Sequence, residues 1–451
     1  MKLVYGIKDK PKFGQLIVFA FQQLLAILAA TIAVPAIVGN GMSQSAALFG
    51  AGVGTIVYLL FTKFRSPVFL GSSFAFLGSM FAAFAGAVST EAGYAGIILG
   101  AILAGLVYVV IAIIVKIAGV KWINKLMPAV VIGPTVAIIG LSLAGNAIGD
   151  ALHFAENVDG TYVMGTHGWI GFICALVTLF VVMLCSVFGK KMPRLIPFII
   201  GIVAGYAVAA LFTLIGMKTG NENLMIVDFS LFQNIQWIPD FTFLNAAKGL
   251  SAIDGKYIAT IAVAYIPVAF VVFAEHIADH KNLSSIIDKD LLEDPGLHRT
   301  LLGDGIGSMV GAIFGGCPNT TYCESVGCVA ITGNASVITI FATAILAIIV
   351  SFFGPFVTFL ATIPSCVMGG VCITLYGFIA VSGLKMLQKV DLGQNKNLFV
   401  VSVILIAGIG GMTLKIGQVT ITEIAGALIL GIITNLILSR KKDEAEDVAA
   451  A

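Results

Sequence analysis

Four acidic residues lie within or at the ends of stretches that are otherwise apolar: Glu275, Asp279, Asp304 and Glu324. An ionised carboxylate at the centre of a membrane helix costs ~2.5–3.5 kcal/mol on insertion scales, so such residues are functional candidates by default. Glu275 and Asp279 are four residues apart and therefore share one helix face. Carboxylates accept hydrogen bonds and carry protons, so these groups suit the binding of an N–H-bearing ligand or the movement of a proton.

Asp304 and the histidines beside Glu275 and Asp279 are weaker candidates. Asp304 lies between Gly303 and Gly305, and a structural role at this position is expected as often as a functional one. His276 and His280 share the predicted helix of Glu275, and a buried histidine with satisfied hydrogen bonds is the commoner case.

The composition indicates that these acids lie in a membrane protein. The 451 residues are 59% hydrophobic and only 11% charged, whereas a soluble domain of this size has about 25% charged residues. The mean hydropathy is +1.05. The sparse charges form no basic stripe, which argues against nucleic acid as a partner. The seven cysteines contain no CxxC pair and are predicted to be small buried residues, so neither a metal site nor a disulfide framework is indicated.

Apolar stretches of membrane-spanning length predict an all-α polytopic protein with about 14 transmembrane segments. With both termini in the cytoplasm, this count leaves Lys218, Lys248, Lys256 and Lys415 on the outer side and the other basic residues inside. About seven segments then fall in each half, and an odd number per half predicts an inverted repeat. No cleavable signal peptide is indicated at the N-terminus.

Two short segments, third in each half, are broken by Gly and Pro. The first contains Ser72-Ser73-Phe74 and the second Thr320-Thr321-Tyr322, and we interpret these triplets as counterparts. Backbone at membrane depth leaves a helix only where protein or a wet cavity satisfies it, so paired broken segments predict the central site of a transporter. Two Pro-kinked helices are the alternative.

The motifs around these segments resemble those of the nucleobase/ascorbate transporter family. The family signature is similar to the stretch from Glu324 to Gly333, and further similar motifs are Pro318 to Tyr322, Ala274 to Ile277, Gly71 to Phe76 and Phe21 to Leu24. The motifs occur in order along essentially the whole chain. Within the family, the bacterial uracil permeases are the most similar group.

The resemblance implies short extended strands in segments 3 and 10, between which the substrate binds. It implies a core domain (13–118 and 257–354) and a gate domain (119–217 and 355–439), with dimers formed through the gate domain. The substrate-binding residues it implies are Glu275, Glu324, Phe74, Tyr322 and Cys323, and Ser73 beside Phe74 is predicted with them. Because buried carboxylates can carry protons, Glu275, Asp279 and Glu324 are the predicted proton-coupling groups. Gln22, Gln23, Asp304 and Ser325 are secondary candidates.

Several positions depart from the family pattern. Ser325 stands where the signature has Asn, and Cys323 stands where uracil permeases often have Gly. Asp279 occupies a position that is His in some bacterial relatives, and Gln23 replaces a commonly seen His. These departures affect the detail of the site more than the family resemblance.

The residues and the resemblance together favour import of uracil with a proton across a bacterial cytoplasmic membrane. Uracil has two ring N–H donors for Glu275 and Glu324, and two carbonyls for backbone N–H groups near Phe74 and Cys323. A purine permease for xanthine or urate is the first alternative. An anion exchanger of related architecture is less favoured, because carboxylates repel anions. No HExxH, GxSxG or P-loop motif is present, so an enzyme is not indicated, and no cofactor is expected.

Overall fold

A computed structural model describes residues 3–119, 128–190, 193, 196–233, 235–388, 390–416, 419–421 and 423–449. The first half contains α1 (Phe13–Val38), α2 (Gln44–Phe61), β1 (Leu70–Ser72), a 3₁₀ turn (Phe74–Phe76), α3 (Leu77–Gly86), α4 (Thr90–Ala118), α5 (Ala129–Ser142), α6 (Ala144–Ala151), β2 (Glu156–Val158), β3 (Thr161–Val163), α7 (Thr166–Phe188) and α8 (Pro197–Thr219).

Short 3₁₀ turns and helix α9 (Thr242–Gly249) connect the two halves. The second half contains α10 (Gly255–Ile287), α11 (Leu297–Gly315), β4 (Asn319–Thr321), α12 (Cys323–Thr332), α13 (Val337–Ser351), α14 (Gly354–Ala361), α15 (Ser365–Leu387), α16 (Asn395–Ile409), β5 (Leu414–Ile416), β6 (Val419–Ile421) and α17 (Glu423–Ala449).

The helices have the length and composition of membrane spans. In the described part of the chain, 8 helices are long and apolar enough to cross a membrane. The pair α13 and α14, bent by 80°, gives a ninth crossing if it is one span. The predicted helical membrane fold is therefore confirmed. The predicted count of about 14 crossings is not confirmed, because a span made of a strand and a short helix fails a test of helix length.

Helices α1–α4 and α10–α13 form two inverted copies of one unit. Several packing contacts have a counterpart with the halves exchanged: α1 packs on α13 as α10 packs on α4, and α2 packs on α13 as α11 packs on α4. Helices α2 and α11 pack on each other, and β1 pairs with β4, at the centre. The two strands run antiparallel, as an inverted repeat requires.

Glycines set the distance between α2 and α11. A Cβ atom added to Gly50 would lie 2.4 Å from the carbonyl oxygen of Gly311, and one added to Gly54 would lie 2.7 Å from that of Gly307. Small residues four apart allow this close approach of membrane helices. The contact holds the two strands, which follow α2 and α11 in the chain, against each other.

The remaining long helices form a second group beside this unit. Helix α15 packs on α5 and α7, α7 packs on α8, and α16 packs on α17. This grouping follows the predicted gate domain, but its mobility and the domain limits stay predictions. Residues 120–127, at the start of the predicted gate range, lie outside the described residues.

Candidate functional site

Two extended strands cross at the middle of the molecule. The register places Leu70 opposite Thr321, Gly71 opposite Thr320, and Ser72 opposite Asn319. The pairing continues past the strand ends, where the N–H of Ser73 donates to the carbonyl of Pro318 at 2.8 Å and the N–H of Tyr322 donates to that of Phe69 at 3.2 Å. The backbone N–H and carbonyl groups of each strand therefore find hydrogen-bond partners in the other strand. Non-helical chain at membrane depth needs such partners.

Each strand leads into a helical segment with the same local geometry. The residue before the 3₁₀ turn, Ser73, has φ −83° and ψ 122°, and the residue before α12, Tyr322, has φ −102° and ψ 122°. Neither supplies a side-chain cap. The first N–H groups of such segments lack an intrahelical acceptor, so both ends present donors to a ligand.

This geometry corrects the predicted correspondence between the two segments by one residue. The strands end at Ser72 and Thr321, so Ser73 corresponds to Tyr322 and Phe74 to Cys323. The prediction that Phe74 corresponds to Tyr322 was wrong, because it aligned hydroxyl residues of similar type, whereas the strand ends and the starts of the helical segments fix the structural match.

A cavity of about 410 Å³ lies at this crossing. Its core-side wall contains all six residues predicted to bind substrate, together with Asp279. These are Glu275, Glu324, Phe74, Tyr322, Cys323, Ser73 and Asp279. The opposite wall is apolar and comes from α5, α8 and α15, with Ile139, Phe198, Leu375, Ile379 and Met386 among its residues. The volume and the few convergent polar groups are typical of a small-molecule site.

Three carboxyl groups share this cavity. Glu275 and Asp279 lie one turn apart on α10, and Glu324 lies in the first turn of α12. The Thr321 hydroxyl donates to Asp279 Oδ2 at 2.8 Å, and the Cys323 thiol donates to Glu324 Oε2 at 3.4 Å. No Lys, Arg or His is among the described residues that line the cavity. The site therefore suits a ligand with hydrogen-bond donors rather than an anion.

Aromatic side chains support the crossing. The Tyr322 hydroxyl donates to the carbonyl of Ser72 at 2.8 Å, which ties α12 to β1. The ring of Phe74 packs edge-on against Tyr376, with 5.9 Å between the centroids, so it contacts the group of helices opposite. Phe74 thus lies between the two walls of the cavity and offers an apolar surface for a planar ligand.

The secondary candidates lie outside the cavity lining. Gln23 Nε2 donates to Ser325 Oγ at 2.5 Å, and Ser325 Oγ accepts from the N–H of Phe69 at 3.1 Å. Ser325 is fully buried and links α1, the start of the first broken segment and α12 behind the site. Gln22 lies beside Gln23 on α1 and does not line the cavity.

Asp304, His276 and His280 also lie behind the cavity. Asp304 Oδ2 is 2.7 Å from His276 Nδ1, and the Tyr58 hydroxyl is 2.7 Å from His280 Nε2. Each of these three side chains is at most 1% exposed. They form a buried polar layer between α10 and its neighbours, without contact to the cavity.

The sequence did not single out two parts of the site. Hydroxyl residues in a strand beside a helix that carries carboxylates could have suggested Thr321 as the hydrogen-bond partner of Asp279. The apolar wall from α5, α8 and α15 gave no signal, because its residues do not differ in type from those that face lipid.

The fold and the site define a polytopic membrane transporter, and comparisons with known proteins agree. A family model described as "Permease family" matches residues 14–417. The uracil permease of Bacillus caldolyticus is 41% identical over 99% of this chain and 97% of its own length. The uracil permease of Escherichia coli (strain K12) is 35% identical over 96% of this chain and 93% of its own. The chain therefore belongs to this permease family.

Solved structures with little sequence identity share the fold. The transmembrane domain of a cyanobacterial bicarbonate transporter, BicA, aligns with a TM-score of 0.58 at 16% identity, covering 95% of this chain and 98% of that one. The murine Slc26a9 anion transporter in the inward-facing state aligns with a TM-score of 0.65 at 11% identity, covering 96% and 69%. The relatives are named permeases, in agreement with the prediction of a transporter and not an enzyme.

Proposed function

We propose that this protein imports uracil across the bacterial cytoplasmic membrane together with a proton. The observation that carries the proposal is the pair of Glu275 and Glu324 in one cavity, beside the N-terminal ends of the 3₁₀ turn and α12. Uracil has two ring N–H donors and two carbonyl acceptors, so carboxylates and backbone N–H groups complement it on all four positions. The names of the relatives support the same substrate.

Proton coupling is supported by the charge of the cavity. Three ionised carboxylates in one enclosed space would repel one another, and no basic side chain among the described lining residues offsets them. A proton that enters with the neutral base lowers this repulsion, and its release on the other side restores it. We propose Glu275, Asp279 and Glu324 as the groups that share this proton.

The direction in which the cavity opens supports an inward-open state. Ser186, Pro197 and Met386 line it close to the end of α7, the start of α8 and the end of α15. Lys190 follows α7, Lys385 lies in the last turn of α15, and these helix ends are cytoplasmic in the predicted orientation. In the proposed cycle, this state releases uracil and the proton to the cytoplasm.

The test is uptake of radiolabelled uracil into proteoliposomes with and without an inward proton gradient. Glu324→Gln keeps the shape of the side chain but removes its charge, and we expect uptake to fall by about 10- to 100-fold. Glu222→Gln, in an exposed 3₁₀ turn, is the matched control and should transport normally.

Each of the other outcomes tests one part of the proposal separately. Uptake that ignores the gradient would refute proton coupling and leave the carrier in place. Xanthine or urate uptake without uracil uptake would move the substrate to purines. Bicarbonate or chloride flux without uracil uptake would favour the transport class of the structural relatives over the uracil proposal.

A further inference from the structure

A second, much smaller cavity lies behind β4, where α4, α10 and α11 meet. Its volume is about 10 Å³, and its polar lining comes from Tyr108, Asp304, Ser308 and Asn319. It is separate from the proposed uracil site, since no residue lines both cavities. What it holds does not depend on the substrate of the transporter.

Two of the residues that line this cavity each have a polar atom without a hydrogen-bond partner among the described protein groups. These atoms are Oδ1 of Asp304 and the hydroxyl oxygen of Tyr108, in side chains that are 1% and 4% exposed. An unpaired polar atom at such depth is unfavourable, because it has lost its hydrogen bonds to water without a replacement. Two of them at one cavity therefore indicate a small polar ligand that both can contact.

The hydrogen bonds of His276 with Thr300 and with Oδ2 of Asp304 determine the net charge beside this ligand. The Thr300 hydroxyl lies 3.0 Å from the carbonyl of Leu297, to which it can only donate, and 2.9 Å from Nε2 of His276. Both bonds form together only if Nε2 of His276 carries a proton. The 2.7 Å contact of Nδ1 with Asp304 then needs one more proton between the two groups.

The His276–Asp304 pair is neutral as a whole in either arrangement of that shared proton. With the proton on Asp304 both groups are neutral, and with it on His276 they form an ion pair. Loss of the proton would place a nitrogen lone pair against a carboxylate at 2.7 Å, out of water. A neutral pair does not supply the charge that holds a cation, but it leaves Oδ1 of Asp304 free to accept one hydrogen bond.

We propose that this cavity is a hydration site for one buried water molecule. The water donates to Oδ1 of Asp304 and accepts from the Tyr108 hydroxyl. The volume matches the roughly 10–15 Å³ that one water needs, and two polar partners meet the requirement for a stable internal water. Asp304 then has a structural role behind the site.

The site extends the buried polar layer to β4. The Ser308 hydroxyl, one turn after Asp304 on α11, accepts from the N–H of Asn319 at 2.9 Å. Asn319 is the first residue of β4 and also lines the small cavity. The water therefore joins α4 to the part of α11 that anchors the strand of the uracil site.

The experiment compares two substitutions of buried tyrosines in the full chain in lipid nanodiscs. Tyr108→Phe removes one partner of the water, and we expect a melting temperature about 1–3 °C below that of the unchanged protein. Tyr265→Phe is the matched control: the Tyr265 hydroxyl is also buried and without a partner among the described groups, but it does not line this cavity. Removing it should leave the melting temperature unchanged or raise it.

A density map that resolves ordered water is the second measurement, and it should show a peak within about 3.2 Å of both oxygens. A Tyr108→Phe protein that melts at or above the unchanged protein, as the control does, would overturn the proposal. So would a melting temperature that rises with sodium or potassium chloride but not with choline chloride and is insensitive to salt in Tyr108→Phe, because a bound cation would then occupy the cavity.

Discussion

The two broken segments have the same backbone conformation but carry side chains of different chemistry. Both consist of a three-residue strand, one extended residue and a helical turn, and they pair about a centre at Gly71 and Thr320. The first segment contributes Ser73, Phe74 and Ala75 to the cavity, whereas the second contributes Thr320, Thr321, Tyr322, Cys323 and Glu324. Ala75 is the structural counterpart of Glu324, so the inverted repeat places a methyl group in one half where the other has a carboxylate.

This difference shows how an inverted repeat can build an asymmetric site. The symmetric part is the hydrogen bonding between the strands, which must be complete because neither strand can satisfy its backbone alone in a membrane. The asymmetric part is the side chains, and these need only satisfy the ligand. We therefore expect substitutions that displace the paired backbone to impair folding in either half, and loss of polar side chains to impair transport mainly in the second.

The largest effect is expected for Gly71→Val. A Cβ atom at Gly71 would lie 2.4 Å from the ring of Tyr322. A side chain at position 71 would therefore displace this ring from its place against the strand crossing. We expect uptake below detection and a lower yield of folded protein in membranes, measured by uptake and by size-exclusion chromatography. The structural counterpart, Thr320→Val, keeps a side chain of the same shape and should fold. A folded, active Gly71→Val protein would show that the close contact between Gly71 and the Tyr322 ring is not required for folding or transport.

A smaller effect is expected for Thr321→Ala. This change removes the hydroxyl that donates to Asp279 at 2.8 Å, and hydrogen bonds to charged groups contribute about 1.5–3 kcal/mol. The half-saturation concentration for uracil should rise by roughly tenfold or more, while Thr321→Ser should restore it. The counterpart change, Ser72→Ala in the first segment, should have little effect on that constant. Equal losses at Ser72 and Thr321 would contradict the asymmetry.

The smallest effect is expected where an ion pair joins the two repeats at the surface. Arg65 precedes the first broken segment, and Asp294 precedes α11 in the second repeat; their side chains meet at 2.7 Å. Hydrogen bonds from Lys289 and then Arg65 lower the pKa of Asp294 to about 2. Because its folded pKa lies below the ordinary value of 3.8, Asp294 stabilises the protein above about pH 4, and this contribution is lost as the pH falls towards 2.

Asp294→Asn should therefore lower the melting temperature slightly at pH 7, by an amount that corresponds to less than about 1 kcal/mol for such exposed groups. The difference from the unchanged protein should shrink between pH 4 and pH 2, measured by thermal melting in nanodiscs. Lys63→Ala is a control for loss of charge at the same surface. A difference that stays constant down to pH 2 would assign the effect to packing and not to the carboxylate.

The sequence predicted the parts of the site in which residue type contrasts with the surroundings. Glu275, Asp279 and Glu324 stand out in apolar spans, and Pro318 and Gly71 mark chain that cannot continue as a helix. The strands at segments 3 and 10 follow from the family resemblance and are present in the structure.

Features without such contrast could not be predicted. The packing partner of Ser325 depends on where α1 and the chain before β1 lie relative to α12, which no local pattern encodes. The apolar wall at Phe198, Leu375 and Met386 looks like any lipid-facing stretch. The number of crossings was also harder to test, since spans divided between a strand and a short helix do not appear as continuous helices.

The pairing of β1 with β4 also has a consequence for biogenesis. The partners Ser72 and Asn319 are separated by more than half of the chain, so β1 enters the bilayer long before β4 is synthesised. Until then its N–H and carbonyl groups need water, lipid headgroups or the insertion machinery as partners. The nascent first half should therefore remain a client of that machinery, and final closure of the molecule should wait for translation to pass residue 321.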